Sequence, residues 1–295
     1  MAVIVSVVIG YVLDMIIGTP KVIKKARNFF YACVKKLYSK INSKVKVLVT
    51  IAVPILSGII VFKTVEFIAD YNMVFSIVAE SIICYFCISC REIKDNSERV
   101  HKALKRGYIK KATKLFNTIT ENGEITEPRE IAENIIVMIM DGSIDRVIAP
   151  IFYILVFGGA GGVAYRVLSL ISDSTGQLLA RVFKNLAEFI PTRLAVVFMF
   201  ISAKLLKMDC RNAYKVFKRD RYKLKSLNRG LIMSLCAGSL NVELSFKKQG
   251  VDIGDSNKII THNDIKIVFE MINISSLLAL ITFVAVRILF VLLMF

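Results

Sequence analysis

The densest polar run in the 295-residue sequence is KRDRYKLKSLNRG, residues 218–230, which gathers Lys and Arg around Ser226 and Asn228. Cationic groups at that density either hold lipid headgroups beside an apolar segment or cradle phosphate and carboxylate oxygens through charge-assisted hydrogen bonds. Composition alone leaves both open. Cys84, Cys87 and Cys90 form C-x-x-C-x-x-C, a spacing that iron–sulfur clusters use on loops with a further Cys and a following Pro. Here CYFCISC ends an apolar segment and no C-P follows, so buried thiols are expected. The two histidines, His101 and His262, lie in charged segments without H-E-x-x-H or a Cys/His zinc spacing, and no protein-bound metal is evident. No G-x-x-x-x-G-K-[ST] occurs, so nucleotide use cannot rest on a P-loop. Glu80, within MVFSIVAESIICYF, is an acid at membrane depth that either carries function or pairs with a polar group on a neighbouring helix. Gly158, Gly159, Gly161 and Gly162 in VFGGAGGVAYR let backbones approach closely or break a helix.

These residues need elements to hold them, and composition says which. The chain is 55% hydrophobic, and its mean hydropathy is +0.60. The apolar residues fall in blocks at 3–18, 47–62, 73–90, 147–171, 189–206 and 272–295. Each is near the length that crosses about 30 Å of hydrocarbon as helix. Gly230–Leu244 is marginal for a span and reads as an interfacial or re-entrant piece. The fold class expected is therefore all-α: a polytopic integral membrane protein of about five to six transmembrane helices plus a cytoplasmic helical hairpin. Residues 1–295 read as a single membrane domain, with 91–146 a helical insertion and 207–271 a basic segment carrying the re-entrant piece.

The net charge is +17, and the basic runs flank apolar blocks, which favours membrane lipid and anionic substrates over nucleic acid. Segment 19–46 carries nine Lys and Arg and no acid, and 204–229 is nearly as basic. Placing both inside gives a multi-pass topology in the cell membrane with cytoplasmic basic loops, an outer amino terminus and sparsely charged outer loops at 63–72 and 172–188. Asp14 is expected to reach the interface and Arg287 to snorkel outward. The six cysteines read as reduced thiols, and the first segment reads as retained rather than as a signal peptide. Between the spans, residues 99–119 have helical spacing, with Val100, Leu104, Ile109 and Leu115 on one stripe. ENGEITEP is a turn, Pro128 restarts a helix, and Thr261 with Asp264 forms a capping-box variant.

Five segments in order resemble the cobinamide-phosphate synthase family of cobalamin biosynthesis (CobD/CbiB). YVLDMIIGTP is similar to its L-L-L-D-x-x-x-G-D-P, and CREIKDNSERVHKALKRGYIKKATKLF to its R-x-L…V-x-x-A-L-x-x-G-D-x-x-x-A-R. DRVIAPIFYILVFGGAGGVAYR resembles D-G-V-V-A-P-L-F followed by G-x-P-G-A-x-A-Y-R, and FIPTRLAVV resembles W-x-P-A-R-L-T-A. RDRYKLKSLNRGLIMSLCAGSLNVEL matches R-D-x-x-K-H-P-S-P-N-x-G-x-x-M-x-x-x-A-G-x-L-x-V-x-L without a gap. Several family acids are absent: Val137 stands for the first Glu of E-S-x-x-E-N-x-S-D-G, and Lys184-Asn185 stands for a D-D pair. Asp141 stands for the second Glu of that motif and Asp145 for its Asp.

The resemblance implies an amide-forming ligase reaction that joins an aminopropanol, or its phosphate, to a carboxylate of a corrinoid such as adenosylcobyric acid. ATP and Mg²⁺ are implied as cofactors. On this reading Asp141 and Asp145 supply metal or base work, while Arg166 and Arg193 stabilise an oxyanion or phosphate. Arg91, Tyr165, Arg219, Asp220, Lys225, Ser226 and Asn228 hold substrate. A non-catalytic membrane homologue that binds a corrinoid or a partner protein stands as the alternative. A transporter would predict inverted repeats, and the sequence displays none.

Overall fold

The computed structural model of the protein describes residues 2–119 and 125–294, so the first half of the ENGEITEP turn, residues 121–124, lies outside the described residues. In chain order the helices begin with α1 (Ala2–Ile17), α2 (Lys21–Lys40), α3 (Ser43–Tyr71), α4 (Met73–Cys87), α5 (Cys90–Lys105) and α6 (Ile109–Ile119). They continue with α7 (Pro128–Ser143), a π-helical turn (Ile144–Ile148), α8 (Ala149–Thr175), α9 (Leu178–Ala187), α10 (Phe189–Leu205) and α11 (Cys210–Asp220). After α12 (Leu227–Leu240) comes a hairpin of β1 (Glu243–Phe246) and β2 (Val251–Gly254), then α13 (His262–Met294).

Among the described residues, four stretches are long and apolar enough to cross a membrane: Val45–Tyr71, Met73–Lys105, Pro128–Thr175 and His262–Leu293. The pair Leu178–Ala187 and Phe189–Leu205 makes a fifth if taken as one span. α1 is apolar but has only 16 residues, about 24 Å of helix against about 30 Å of hydrocarbon. The chain is thus an all-helical, polytopic membrane protein with one small hairpin, which its charged surroundings hide from hydropathy.

Two compact units form: Met1–Arg91 with Asp145–Pro191 and Leu280–Phe295, and Glu92–Ile144 with Thr192–Ala279. In the first, small residues let helices approach. A Cβ at Gly10 of α1 would lie 2.7 Å from Cys84 Cβ of α4, and one at Gly58 of α3 would meet Ala160 and Ala164 of α8. The amphipathic α2 lays Val34 and Tyr38 against Ile171 and Ala180, and Tyr38 Oη lies 3.0 Å from Thr50 Oγ1.

α8 is broken at Gly158, whose φ of 71° and ψ of −170° suit glycine alone. The second half of α8 therefore has its own amino terminus, and Gly159 N–H donates to buried Glu80 Oε1 at 3.0 Å. That bond is the polar partner a membrane-depth acid requires, at the positive end of a helix. Glu80, Gly158, Tyr153 and Arg287 line a largely apolar cavity of about 1100 Å³ between α3 and α8. Asp14, expected at an interface, is instead buried and accepts Arg91 N–H at 3.0 Å, because α4 ends before Arg91 and leaves that donor unpaired within the helix.

The second unit is organised on α12. Of the segment Gly230–Leu244, read from sequence as an interfacial or re-entrant piece, Gly230–Leu240 is buried throughout. A Cβ at Gly230 would lie 2.3 Å from Arg221 O, and one at Gly238 would lie 2.8 Å from Ala213 Cα of α11. The hairpin pairs antiparallel in the register Glu243–Gly254 and Phe246–Val251 and packs on α12. Residues 99–119 form two helices rather than one, because Gly107 takes φ 72° between α5 and α6. The restart rotates the stripe: Val100, Ala103, Ala112 and Phe116 are buried, while Ile109 is exposed. Thr261 N–H and Oγ1 both donate to Asp264 Oδ2, at 2.8 and 2.9 Å, while Asp264 N–H goes to Thr261 O, so the half of the capping box in which the acid reaches back to the cap forms at the start of α13.

Candidate functional site

The polar centre of the first unit is built on the π-helical turn. The extra residue per turn redirects Asp145 and frees Arg146 O, which accepts Ser89 N–H at 3.0 Å. Asp145 is buried and takes a hydrogen bond from Ser169 Oγ, and another from Tyr165 Oη at 3.2 Å. Lys184 Nζ lies 3.2 Å from Asp145 Oδ1, and Arg166 reaches Asp145 O at 3.3 Å and Oδ2 at 3.8 Å. Lys184 also reaches Asp173 at 3.0 Å and Glu188 at 3.9 Å, and Tyr165 donates to Glu188 at 3.0 Å. Tyr165, Ser169 and Asp173 recur at i, i+4, i+8 on α8, so one helix face carries three polar groups into an apolar unit.

The second unit gathers the basic turn. Ser226 caps α12 by accepting Arg229 N–H, which starts the helix and projects Arg229 from its first turn. The Arg229 guanidinium grips both oxygens of Asp141, with Nε at 2.9 Å and Nη2 at 2.7 Å, and stacks over Phe246 at 5.3 Å. Arg193 of α10 donates to the buried Asn228 Oδ1 at 3.4 Å. Arg219 is committed elsewhere: it donates to both Asp220 oxygens, to Asp255 and to Gly254 O. Asp220 also accepts Gly254 N–H at 2.9 Å and pairs with Lys223 at 2.9 Å, so it fastens β2 to α11. Burial raises its pKa, but hydrogen bonds from Arg219, Lys223 and Gly254 outweigh that and bring it down to about 2. The Lys225 side chain is exposed, and its N–H donates to Gln249 Oε1 at 3.2 Å.

The sequence-derived site residues thus fall in both units. Asp145, Tyr165 and Arg166 meet in the first, where Arg91 ties α5 to α1 through Asp14 and Met15 O. Asp141, Arg193, Ser226 and Asn228 converge on the start of α12 in the second, beside the Arg219–Asp220 clasp and Lys225. Sequence reasoning missed Glu188, Ser169 and Asp173 as partners of the Asp145 centre. The i, i+4 spacing of Lys184 and Glu188, across the end of the amphipathic α9, was the available signal. It also missed Arg229, the residue that anchors Asp141.

The implied Mg²⁺ does not fit these carboxylates as they are paired. Both Asp141 oxygens face one guanidinium, and Asp145 is ringed by two cations and two hydroxyls. Among the described residues no group of three or more His, Cys, Asp and Glu could hold a metal ion. The donor set of the basic turn does fit phosphate oxygens: Arg193, Arg229, Lys225 and the start of α12 are all donors.

A family model described as CobD/Cbib protein matches residues 7–272. The chain is 25% identical over 307 residues to a cobalamin biosynthesis protein CobD of Clostridium perfringens, covering 96% of this chain and 98% of the relative. A relative with that name in Photorhabdus laumondii is 26% identical, with 70% of each chain covered. A probable cobalamin biosynthesis protein CobD of Methanothermobacter thermautotrophicus is 27% identical, covering 60% of this chain and 62% of the relative. No solved structure matches significantly.

Proposed function

This chain belongs to the CobD/Cbib protein family, and we propose that it joins an aminopropanol, or its phosphate, to a corrinoid carboxylate by an amide bond. Its general role is in cobalamin biosynthesis, with corrinoid-related substrates. The observation that carries the finer reading is the convergence in the second unit. Asp141 of α7, Arg193 of α10 and the Ser226–Arg229 start of α12 come from three separated segments and are joined by direct hydrogen bonds.

The chemistry follows from those groups. Amide formation requires a carboxylate oxygen to become a leaving group and an ammonium to lose a proton. ATP, when bound, supplies the phosphoryl group for the first requirement. Arg193, Arg229, Lys225 and the amide groups at the start of α12 bind the phosphate and the developing oxyanion, where fixed donors stabilise charge that water would otherwise have to reorganise around. Asp141 orients Arg229, and once substrate draws that guanidinium away its carboxylate is the base within reach of an incoming amine. In the first unit, Asp145, Tyr165 and Arg166 are joined by hydrogen bonds and an ion pair into a polar centre of their own. The protein lies in the cell membrane with segments 19–46 and 204–229 facing the cytoplasm, as the positive-inside bias of those segments requires.

The test is direct. Purified protein given adenosylcobyric acid, ATP, Mg²⁺ and aminopropanol phosphate yields the amide, detected by mass. Retained corrinoid without any amide product sinks the synthase reading and supports a binding protein.

A further inference from the structure

α8 does not run straight through the first unit. Asp145, just before it, is joined to Tyr165, Arg166 and Ser169, which follow by 20, 21 and 24 residues. Twenty residues of straight helix would hold such groups about 30 Å apart. The two arms of α8 instead fold back on each other at Gly158. A Cβ at Gly161 would lie 2.6 Å from Tyr153 O, one at Gly162 would lie 2.5 Å from Ile154 Cγ1, and the rings of Tyr153 and Tyr165 stack at 5.2 Å. These pairs share one antiparallel register about the tip. The arm from Asp145 to Phe157 is about 20 Å long, against about 30 Å of hydrocarbon. The ends of this hairpin lie side by side, and its tip stops short of the far surface.

A hairpin that stops short leaves room beside and beyond its tip. The cavity of about 1100 Å³ is there, with Ile59, Phe62 and Val65 of α3 on one wall and Val156 and Phe157 of the tip on another. Three charged side chains line it: Glu66, Glu80 and Arg287. Glu80 accepts Gly159 N–H at 3.0 Å, and Glu66 pairs with Lys63 at 2.7 Å. Arg287 forms no hydrogen bond or ion pair with another of the described residues. α13 continues only two turns beyond it, to Met294, so its guanidinium is within snorkelling reach of a headgroup layer. A cation on an apolar wall calls for an anion, and the wall itself calls for hydrocarbon. A phospholipid carries both.

We propose that this cavity binds one anionic membrane phospholipid, with an acyl chain in the apolar cleft between α3 and the hairpin tip and the phosphate on Arg287. The guanidinium fork matches two phosphate oxygens. The chain fills space that the half-length hairpin leaves open, and so props the Gly158 turn against α3. The proposal concerns the first unit alone and stands apart from the amide-forming reading, which rests on residues of the second.

The probes are phosphatidylglycerol, which is anionic, and phosphatidylcholine, which is not, added to the full chain in detergent and followed by native mass spectrometry. The native chain retains one phosphatidylglycerol, about fivefold more tightly than phosphatidylcholine. Arg287→Gln loses that preference, and Arg287→Lys keeps it. The sequence contains no Trp, so a Val65→Trp variant reports on the cavity: brominated phosphatidylglycerol quenches its fluorescence and saturates at one lipid per chain. Leu289→Trp, on an exposed position of α13, shows no saturation at that ratio. The proposal is overturned if the native chain retains no phospholipid, a measurement that needs no variant to fold. It is also overturned if Arg287→Gln keeps the preference, or if adenosylcobyric acid displaces the lipid one for one, which would assign the cavity to the corrinoid.

Discussion

Gly159 N–H donates to Glu80 Oε1 at 3.0 Å where the chain turns through Gly158 at φ 71° and ψ −170°. The bond and the backbone conformation depend on one another: the break creates the free N–H, and the buried carboxylate makes the break tolerable at membrane depth. Gly158→Ala places a Cβ 3.1 Å from Glu80 Oε1 in a conformation that L-residues avoid. We expect it to lower stability by about 1–3 kcal/mol, read as a drop in the thermal midpoint in detergent. An unchanged midpoint would mean that α8 runs unbroken through this position.

The Asp141–Arg229 pair is about one-third exposed on each side, with 41% and 34% of the side chains accessible. Such a pair contributes about 0–1 kcal/mol to stability, so its loss separates activity from folding. Arg229→Ala and Asp141→Asn are each expected to lower kcat/KM for amide formation about tenfold or more, with thermal midpoints nearly unchanged. The double variant is expected to lose less than the product of the single losses, because both act through one contact. Fully multiplicative losses would show that the residues work independently.

Gly230 lies where a Cβ would be 2.3 Å from Arg221 O. Gly230→Ala is expected to push the 221–226 turn off α12 and cost about 1–3 kcal/mol, together with a fall in activity because Arg229 is adjacent. Gly107→Ala, by contrast, meets nothing within 4 Å, so it pays only for its positive φ. Equal midpoints for the two variants would show that the close approach at Gly230 is unimportant.

Asp220 gives the second unit an acid limit. Its folded pKa of about 2 lies below the ordinary aspartate value of 3.8, so its contribution is complete above the unfolded pKa and is lost as pH falls through the folded one. The midpoint of native protein should therefore fall more steeply between pH 4 and pH 2 than that of Asp220→Asn. Parallel profiles would show that the clasp between α11 and β2 carries no linked proton.

Topology can be read with thiols. Cys33 is exposed and Cys210 partly so, while Cys84, Cys87, Cys90 and Cys236 are buried. Burial, helped by the nearby Asp264 charge, pushes the Cys236 thiol up to about 12, which keeps it unreactive. In a Cys33→Ser/Cys210→Ser background, an impermeant maleimide should label Lys218→Cys only in opened cells. Labelling of intact cells would reverse the proposed orientation.

The helical spans were legible because membrane-crossing length and apolarity are properties of contiguous residues. Four of the six apolar blocks fall largely within stretches long enough to span, a fifth lies in the bent pair Leu178–Ala187 and Phe189–Leu205, and α1 forms but is short. Local signals also survived, as at Thr261 and Asp264. What was illegible is long-range. The four-residue strands at 243–246 and 251–254 are too short and too charged for periodicity to register. The Gly107 break depends on a backbone angle that the 3.6-residue pattern runs straight through. Asp141 could be named from its motif, but its partner Arg229 lies 88 residues away, and only the folded chain brings them together. Lys184 was read merely as a lost acid, whereas three carboxylates gather around it.

The burial of α12 by its own unit carries a consequence for how the chain is made. Its 14 residues are apolar enough to leave water yet fall short of the roughly 20 needed to stay in a bilayer. A newly emerged α12 can pack on α11, made before it, but its other side stays bare until residues synthesised after it, Leu244 and Ile253 of the hairpin among them, close over it. Chains stalled between residues 240 and 254 would present the bare side of this helix to proteases and to one another, which makes the short hairpin the piece that closes the second unit over α12.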